Sequence, residues 1–200
     1  MTDHTPRATE RATGRPLLDL VEVEALARTA HAAQRDKAGR PYTEHLRAVA
    51  DGVRARGGDE DQIAAAWLHD AVEDGALTEE WLRGAALSGR TKEIVLALTK
   101  RAGEPLEAYA GRVLATPGAL MVKESDLAHN ADPVRLAVLD GATRDRLARK
   151  YARMRELLGQ AGESERGPAG RASAGSRPAG GAGSGLPAPP GGARDRADGS

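Results

Sequence analysis

Four polar side chains follow directly on an apolar, alanine-rich segment near the middle of the chain. Residues 63–68 read Ile-Ala-Ala-Ala-Trp-Leu, and the next six residues include His69, Asp70, Glu73 and Asp74. If one helix runs through all of them, residues four apart lie one above the other, so His69 stacks on Glu73. Asp70 stacks on Asp74 by the same rule. Three carboxyl groups this close repel one another unless a cation or a raised pKa relieves them. The pattern therefore predicts a functional site rather than a solvated helix end.

Two more segments carry side chains of the same kind. His45 lies on a second predicted helix, and Asp126 lies in the segment 121–130. With His69 and Asp70 they make a set of two histidines and two aspartates. Mixed imidazole and carboxylate ligation suits a hard or borderline divalent ion that keeps open positions for water. At helical spacing Asp126 also shares one face with two further polar residues of its segment, Lys123 and Asn130.

The composition excludes several classes of protein. Lys plus Arg and Asp plus Glu balance at 29 each, so the chain lacks the basic surface expected of a nucleic-acid partner. It has no cysteine, which excludes disulfides, thiolate metal ligands and a cysteine nucleophile. No apolar run approaches the roughly 18 residues that a membrane span requires, and no signal-type segment follows the N-terminal charges. The expectation is a soluble, cytoplasmic protein.

Hydrophobic spacing of three and four residues predicts helices throughout the central part of the chain. Thr43 is the predicted cap of the helix that carries His45. Asp59 is the predicted cap of the central helix, with Gln62 in capping-box position and Gly75 as its end. Thr78 starts the next helix. The remaining helices are predicted over about 16–35, 91–100, 106–114, 121–130 and 143–158. No segment alternates like a strand, so the prediction is a compact all-α fold of many helices.

Composition also sets the expected domain boundaries. Residues 1–15 are polar and aperiodic and are interpreted as a flexible leader. Residues 16–158 form the predicted domain. Residues 159–200 are rich in Gly, Pro and Ala, with Leu186 as their one large apolar residue, so they cannot bury enough apolar area to offset the entropy of ordering. They are predicted to be a disordered C-terminal tail.

The polar residues also occur in a familiar order. His45, then His69-Asp70, then Asp126 resembles the H…HD…D signature of the HD-superfamily phosphohydrolases. Four blocks extend the resemblance over about residues 18–158: HAAQRDKAGRPYTEH (31–45), AAAWLHDAVED (64–74), ALTK (97–100) and VKESDLAHN (122–130). Together they look like the hydrolase domain of RelA/SpoT-type guanosine polyphosphate (ppGpp) hydrolases, including the stand-alone small alarmone hydrolases. The resemblance implies an HD-domain fold.

The resemblance also implies roles for individual residues. It makes His45, His69, Asp70 and Asp126 the ligands of a divalent metal, with Mn²⁺ the usual ion of the family. It makes Glu73 and Asp74 the catalytic acidic pair. Lys37, Lys123 and Asn130 match positions that line the nucleotide pocket, and His31, Gln34 and Tyr42 match positions with supporting roles. Tyr42 and Trp67 are expected in the core rather than stacked on a substrate.

Two departures from the family pattern bear on the substrate. Asp36 stands where the family typically has an Arg beside the pocket lysine, and Leu127 stands where it typically has an Arg after the fourth ligand. Asp36 is placed among the substrate-binding residues, with two outcomes open: weaker binding of the guanine nucleotide, or a hydrogen bond from the base to the carboxylate that preserves the preference for guanine. Arg35 either replaces the lost guanidinium or faces water, and Asn130 either lines the pocket or caps its helix.

The resulting hypothesis is a metal-dependent phosphohydrolase that removes the 3′-diphosphate of guanosine tetra- or pentaphosphate. One alternative keeps the mechanism and changes the substrate, for instance to a 2′- or 3′-phosphorylated adenine dinucleotide. The other alternative is a non-catalytic, nucleotide-binding regulatory module. The expected partner is a phosphorylated nucleotide, with neither nucleic acid nor membrane.

Overall fold

The computed structural model describes residues 16–164 of the 200-residue chain. In that range the secondary structure is helical, apart from one isolated bridge between Arg35 and Pro41. The helices are α1 (Leu20–Ala30), α2 (Tyr42–Ala55), α3 (Glu60–Leu68), α4 (Glu79–Gly84), α5 (Gly89–Leu98), α6 (Leu106–Ala115), α7 (Ala119–Asn130), α8 (Pro133–Ala137) and α9 (Gly141–Ser164). The predicted all-α class is confirmed.

Helix α3 is the centre of the packing. Its residues from Gln62 to Leu68 are all buried, and it contacts α1, α2, α5 and α7. The three consecutive alanines are small, so the surrounding helices can approach its axis closely. Trp67 is 1% exposed, and this confirms its predicted place in the core. The segment that ends in the polar cluster is thus the most enclosed helix of the described fold.

Local signals in the sequence explain where α3 and α7 begin. Asp59 accepts the Gln62 backbone N–H, and the Gln62 side chain returns to the Asp59 backbone, so the predicted capping box is confirmed. The Gln62 amide also donates to the Gly118 carbonyl at 3.3 Å, which ties α3 to the start of α7. Gly118 has φ +95°, and a Cβ there would meet Ile94 at 3.0 Å. Only glycine fits this turn without strain.

Two predicted boundaries next to the site are wrong, and one short helix was not predicted. Helix α2 begins at Tyr42 after Pro41, and the Thr43 side chain does not cap it. Helix α3 ends at Leu68 with His69 as its C-cap, and turns rather than helix fill the interval to Gly75. The short helix α8 was not predicted: Pro133 at its first position and the Asp132 side chain on the Val134 N–H start it.

Helix α9 packs on α6 and α7 and closes the domain. Leu147, Met154 and Leu158 of this helix are buried. The helix continues to Ser164, six residues past its predicted end at Leu158. The predicted leader (1–15) and the remainder of the predicted tail (165–200) lie outside the described residues. Within the described range, no helix combines the length and apolar character needed to cross a bilayer.

Candidate active site

Three buried ligand groups converge where α2, α3 and α7 meet. His45 lies on α2, His69 directly follows α3, and Asp126 lies on α7, and their ligand atoms are all within 4.8 Å of one another. The Nε2 atoms of the two histidines are 3.3 Å apart. Asp126 Oδ1 lies 3.3 Å from His45 Nε2 and 3.7 Å from His69 Nε2. Each group comes from a different helical segment, so the cluster exists only in the folded chain.

Asp70 adds a second carboxylate to the same cluster. Its Oδ2 lies 3.0 Å from His69 Nε2 and 3.5 Å from His45 Nε2. The Tyr42 hydroxyl donates a hydrogen bond to the same oxygen. Burial, and then the negative charge of Asp70, raise the pKa of the Tyr42 hydroxyl, so that it stays a donor. The structure thus brings together all four residues of the predicted ligand set.

The separations fit a shared divalent ion. Ligand atoms at about 2.1 Å from one ion lie roughly 3.0 Å apart at right angles, and somewhat further apart in a tetrahedral arrangement. The two nitrogens and two carboxylate oxygens are 3.0–3.7 Å apart in the pairs described above. The donor set suits an ion that takes both imidazole and carboxylate. The cluster is therefore a possible His/Asp metal site.

Each histidine has its second ring nitrogen fixed by a protein partner. His69 Nδ1 lies 2.8 Å from the Ala66 carbonyl, so it carries the proton and leaves Nε2 free to bind a metal. His45 Nδ1 lies 2.7 Å from His129 Nδ1. Burial and the neighbouring charge of Arg135 lower the pKa of His129 to about 4, which keeps it neutral and able to accept. Such partners orient metal-binding histidines.

Charge pairing compensates for the burial of these groups. Burial raises the pKa of Asp126, but Lys123 and the two histidines outweigh it and hold that pKa well below its usual range. Burial lowers the pKa of His69, but Asp70 and Asp126 outweigh it and raise that pKa well above its usual value. Lys123 Nζ lies 2.7 Å from Asp126 Oδ2. A carboxylate held in its ionised form is a ready ligand for a cation.

The acidic pair Glu73 and Asp74 lies in turns rather than in a continuation of α3, although the Asp74 backbone N–H still donates to the Asp70 carbonyl at 2.9 Å. Glu73 Oε2 accepts the Lys100 backbone N–H at 2.9 Å. Asp74 Oδ2 accepts the Gln34 side-chain amide at 2.7 Å. Both acids are exposed, and both line the cavity beside the metal cluster. Both carboxylates can therefore contact a substrate bound in this cavity.

That cavity measures about 380 Å³, which is the size of small-molecule pockets. The metal-cluster aspartates Asp70 and Asp126 lie in its wall, together with the four predicted substrate residues Asp36, Lys37, Lys123 and Asn130. Asn130 donates its side-chain amide to Asp126 Oδ1, and Ala131 is the C-cap of α7. The alternative role of Asn130 as a helix cap is therefore wrong. Tyr42 also lines the cavity, beyond its expected place in the core.

Asp36 faces the protein as much as the cavity. Its Oδ1 accepts the backbone N–H groups of Ala38 and Arg40, both at 2.9 Å, and its Oδ2 lies 3.0 Å from the Arg135 guanidinium. Both oxygens are thus engaged. Arg35 was expected either to replace the lost guanidinium or to face water. It does line the cavity, but it is also exposed to solvent.

The cavity holds several cations that the sequence did not single out. Lys100, Arg135 and Lys150 line it together with Tyr151, and these come from the end of α5, from α8 and from α9. Burial and the nearby charges of Lys123, Lys37 and Lys100 lower the pKa of Lys150. Lysines that repel one another across a cavity favour a multiply charged anion there. Lys100 is the last residue of the block ALTK, and the resemblance of that block to the hydrolase family could have drawn attention to it. No motif in the sequence pointed to Arg135 or Lys150.

Comparison with a protein-family model shows which kind of domain the chain resembles. Residues 24–113 match the family model described as HD domain. The match contains His45, His69 and Asp70, and ends before Asp126. The matched residues run from α1 into α6, so the similarity to HD domains extends over 90 of the 200 residues of this chain.

Three curated relatives and one solved structure narrow the resemblance. A probable guanosine-3′,5′-bis(diphosphate) 3′-pyrophosphohydrolase of Synechocystis is 46% identical over 70 residues, which are 35% of this chain and 9% of that protein. The Haemophilus influenzae guanosine-3′,5′-bis(diphosphate) 3′-pyrophosphohydrolase is 32% identical over 115 residues, 52% of this chain and 17% of that protein. A probable GTP pyrophosphokinase of Mycobacterium leprae is 34% identical over 113 residues, 52% of this chain and 14% of that protein.

The chain therefore spans less than a fifth of the length of these relatives. The solved structure is described as a metazoan ortholog of SpoT that hydrolyses ppGpp. It superposes with a TM-score of 0.56 at 21% identity, over 78% of this chain and 99% of that one. At that identity the superposition establishes the shared fold.

Proposed function

We propose that this protein is a metal-dependent phosphohydrolase that removes the 3′-diphosphate from guanosine tetra- and pentaphosphate. The observation that carries the proposal is the convergence of His45, His69, Asp70 and Asp126 at the wall of a cavity lined by lysines. A metal cluster beside several cations suits a substrate with several phosphates. The relatives named for 3′-pyrophosphohydrolase activity support the choice of guanosine polyphosphate. A nucleotide substrate of this kind also implies a cytoplasmic protein.

The four-residue cluster is the proposed site of the ion, and Mn²⁺ is the proposed ion. Two imidazole nitrogens and two carboxylate oxygens suit Mn²⁺ and leave positions for water and substrate. When bound, a divalent ion lowers the pKa of water and polarises a phosphoryl oxygen. The ordering of His45 by His129 and of His69 by the Ala66 carbonyl would keep both Nε2 atoms on the ion.

The proposed catalytic groups are Glu73 and Asp74. Both are exposed carboxylates in the cavity wall, so each can orient an attacking water, take its proton or pass a proton to the leaving oxygen. The Lys100 N–H fixes Glu73, and Gln34 fixes Asp74, so neither acid needs to be reoriented when the substrate arrives.

The remaining cavity side chains are proposed to hold the substrate. Lys37, Lys100, Lys123 and Lys150 surround the space where phosphates would lie. Asn130 holds Asp126 and lines the same wall. Asp36, whose oxygens are already engaged, contributes by fixing its loop and Arg135 rather than by contacting the base directly.

The test is a comparison of substrates with the full-length chain loaded with Mn²⁺. Guanosine tetraphosphate is incubated beside a 3′-phosphorylated adenine dinucleotide, and pyrophosphate and orthophosphate are measured separately. We expect pyrophosphate from the guanosine substrate and none after treatment with a chelator. Repeating the assay with Mg²⁺ and Zn²⁺ checks the identity of the ion.

The alternatives predict different products. Orthophosphate from the adenine dinucleotide, without pyrophosphate from the guanosine substrate, would establish the other substrate class. A protein that binds nucleotides, yet retains less than a tenth of an equivalent of metal after loading and desalting, would be a non-catalytic regulatory module.

A further inference from the structure

An ion pair joins two residues of the cavity wall that are 99 positions apart. Arg135 of α8 lies 3.0 Å from the Asp36 carboxylate through its terminal nitrogen Nη2. The two side chains are 16% and 6% exposed, so little water screens their attraction. An arginine this well enclosed is positioned by its partners rather than by solvent.

Asp36 is a rigid anchor in this pair. Its other oxygen accepts the N–H groups of Ala38 and Arg40, and the bridge between Arg35 and Pro41 closes the same loop. The carboxylate cannot turn toward a ligand without losing these backbone bonds. Recognition at this corner of the cavity therefore depends on the arginine.

Arg135 is held on a second side by an imidazole. Its Nη1 lies 3.1 and 3.2 Å from the two ring nitrogens of His129. His129 in turn meets His45 at 2.7 Å, so one imidazole separates the guanidinium from the metal cluster. Asp36 and His129 do not use all five guanidinium N–H donors. The others remain for a ligand.

The surroundings of Arg135 differ from those of the cavity lysines. Lys37, Lys100 and Lys150 are exposed, flexible point charges. Arg135 is a guanidinium plane held by its partners. Leu136 follows it directly in the sequence, and the same cavity is also lined by Leu127, Leu139 and Leu147. A planar fork of donors beside apolar side chains suits a heterocyclic base better than a phosphate chain.

We propose that Arg135, held by Asp36, is the residue that selects the base of the nucleotide, and that it selects guanine. The inference rests on the proposed function in one respect, that the cavity binds a phosphorylated nucleotide. One edge of guanine presents two acceptors, O6 and N7, which match the arginine fork. The same edge of adenine presents an amino donor beside N7, which an arginine cannot satisfy but a glutamine can.

Binding constants test the proposal without requiring turnover. The probes are guanosine 5′-diphosphate 3′-diphosphate and its adenosine counterpart, titrated calorimetrically into the Mn²⁺-loaded Glu73→Gln chain. Adding Arg135→Gln should weaken binding of the guanosine probe by about tenfold to a hundredfold, the scale of one bidentate base contact. Binding of the adenosine probe should hold or improve, so the guanine-to-adenine ratio falls. The matched control is Arg153→Gln, which removes an exposed arginine paired with Glu107 outside the cavity.

A charge exchange separates recognition from folding. The double variant Asp36→Arg with Arg135→Asp keeps one ion pair but moves the guanidinium to the loop. We expect it to recover most of the melting temperature lost in Arg135→Asp alone, and not to recover the guanine preference. Recovery of both would show that the pair is structural and would overturn the proposal. So would equal weakening of both probes by Arg135→Gln, which is the signature of a phosphate contact.

Failure of this inference and failure of the proposed function give different results. Suppose that the wild-type chain binds the guanosine probe but releases no pyrophosphate, and that the Arg135→Gln substitution abolishes the preference for guanine. The hydrolase proposal then fails, and the assignment of Arg135 stands. If the wild-type chain releases pyrophosphate with an unchanged base ratio in Arg135→Gln, the assignment of Arg135 fails alone. If the wild-type chain binds neither the guanosine nor the adenosine probe, both the hydrolase proposal and the assignment of Arg135 are overturned.

Discussion

At the scale of single residues, the candidate metal centre depends on groups that touch no metal themselves. The Ala66 carbonyl and the His129 ring decide which nitrogen of His69 and His45 is free. The resemblance to the H…HD…D signature predicted the set of four candidate ligands, His45, His69, Asp70 and Asp126. It did not predict the part played by His129, because only the packing of α7 against α2 brings that ring to His45.

The partner of His45 gives a prediction about metal affinity. His129→Ala should weaken Mn²⁺ binding by about tenfold to a hundredfold, because His45 loses the acceptor that orients it. Calorimetric titration of the metal-free protein measures the change. His4→Ala, at the histidine that the proposed site does not use, is the control. Unchanged affinity would mean that the packing around His45 is enough to orient the ring.

Glu73 gives a prediction about catalysis. Glu73→Gln keeps an oxygen that can accept the Lys100 N–H but removes the proton-transferring carboxylate. We expect one equivalent of metal to remain and kcat for guanosine tetraphosphate to fall about 100-fold or more. Metal analysis and pyrophosphate release are measured on the same preparation. Glu79→Gln on α4 is the matched control, and near-normal turnover of Glu73→Gln would reduce Glu73 to a structural role.

At the scale of elements, α3 connects the centre of the core to the candidate site, because His69 and Asp70 follow directly on its buried residues. Its start is determined by a capping box that is visible in the sequence. Its end is not, because no glycine or proline stands between Leu68 and Gly75. Two contacts accompany this end: the His69 ring bonds back to the Ala66 carbonyl, and Glu73 accepts the backbone N–H of the distant Lys100. Periodicity alone therefore extended α3 past its end, although both acids line the same cavity as Asp70.

The cap of α3 gives a prediction about stability. Asp59→Ala should lower the free energy of unfolding by about 1–2 kcal/mol, because the Gln62 N–H loses its acceptor and Arg90 loses the nearer of its two carboxylate partners. Burial raises the pKa of Asp59 slightly, but the Gln62 N–H and Arg90 outweigh it and lower that pKa. A lowered folded-state pKa means that the contribution is complete above the usual aspartate pKa and is lost as the pH falls through the folded one.

Urea unfolding at neutral pH and at pH values below about 4 tests both parts of this prediction. The difference between wild type and Asp59→Ala should narrow on acidification. Asp59→Asn retains a cap without the charge and should cost less. Asp19→Ala, which removes the equivalent capping box of α1, is the control without an arginine partner. A constant difference across the pH range would show that the carboxylate charge contributes nothing.

At the scale of the whole molecule, the candidate metal ties together segments that are distant in the sequence. The ligands come from α2, from the turn after α3 and from α7. The order of these elements and their all-α packing could be predicted from hydrophobic spacing and caps. The cavity could be predicted only in part, since α8 and α9 place Arg135 and Lys150 there by tertiary packing.

This arrangement predicts a metal-dependent melting temperature. Because the ion binds the folded chain, loading with Mn²⁺ at 100 times its Kd should add about 2.7 kcal/mol of stability and raise the melting temperature. Scanning calorimetry with and without a chelator measures the change. Asp70→Ala should abolish the response to metal, whereas Arg153→Gln should retain it. Equal melting temperatures for loaded and chelated wild type would contradict a shared site.

The Asp36–Arg135 pair has a consequence for how relatives of this chain diverge. A basic residue at position 36 would repel Arg135, and an acidic residue there without Arg135 would leave a buried carboxylate with only backbone partners. Neither change is tolerated easily by itself, so the two positions should be inherited together. Among related chains, an acidic residue at the first position should accompany an arginine at the second, although 98 residues separate them in the sequence. A survey of position 36 alone would classify this protein as having lost a pocket cation, although a guanidinium reaches the same place from α8.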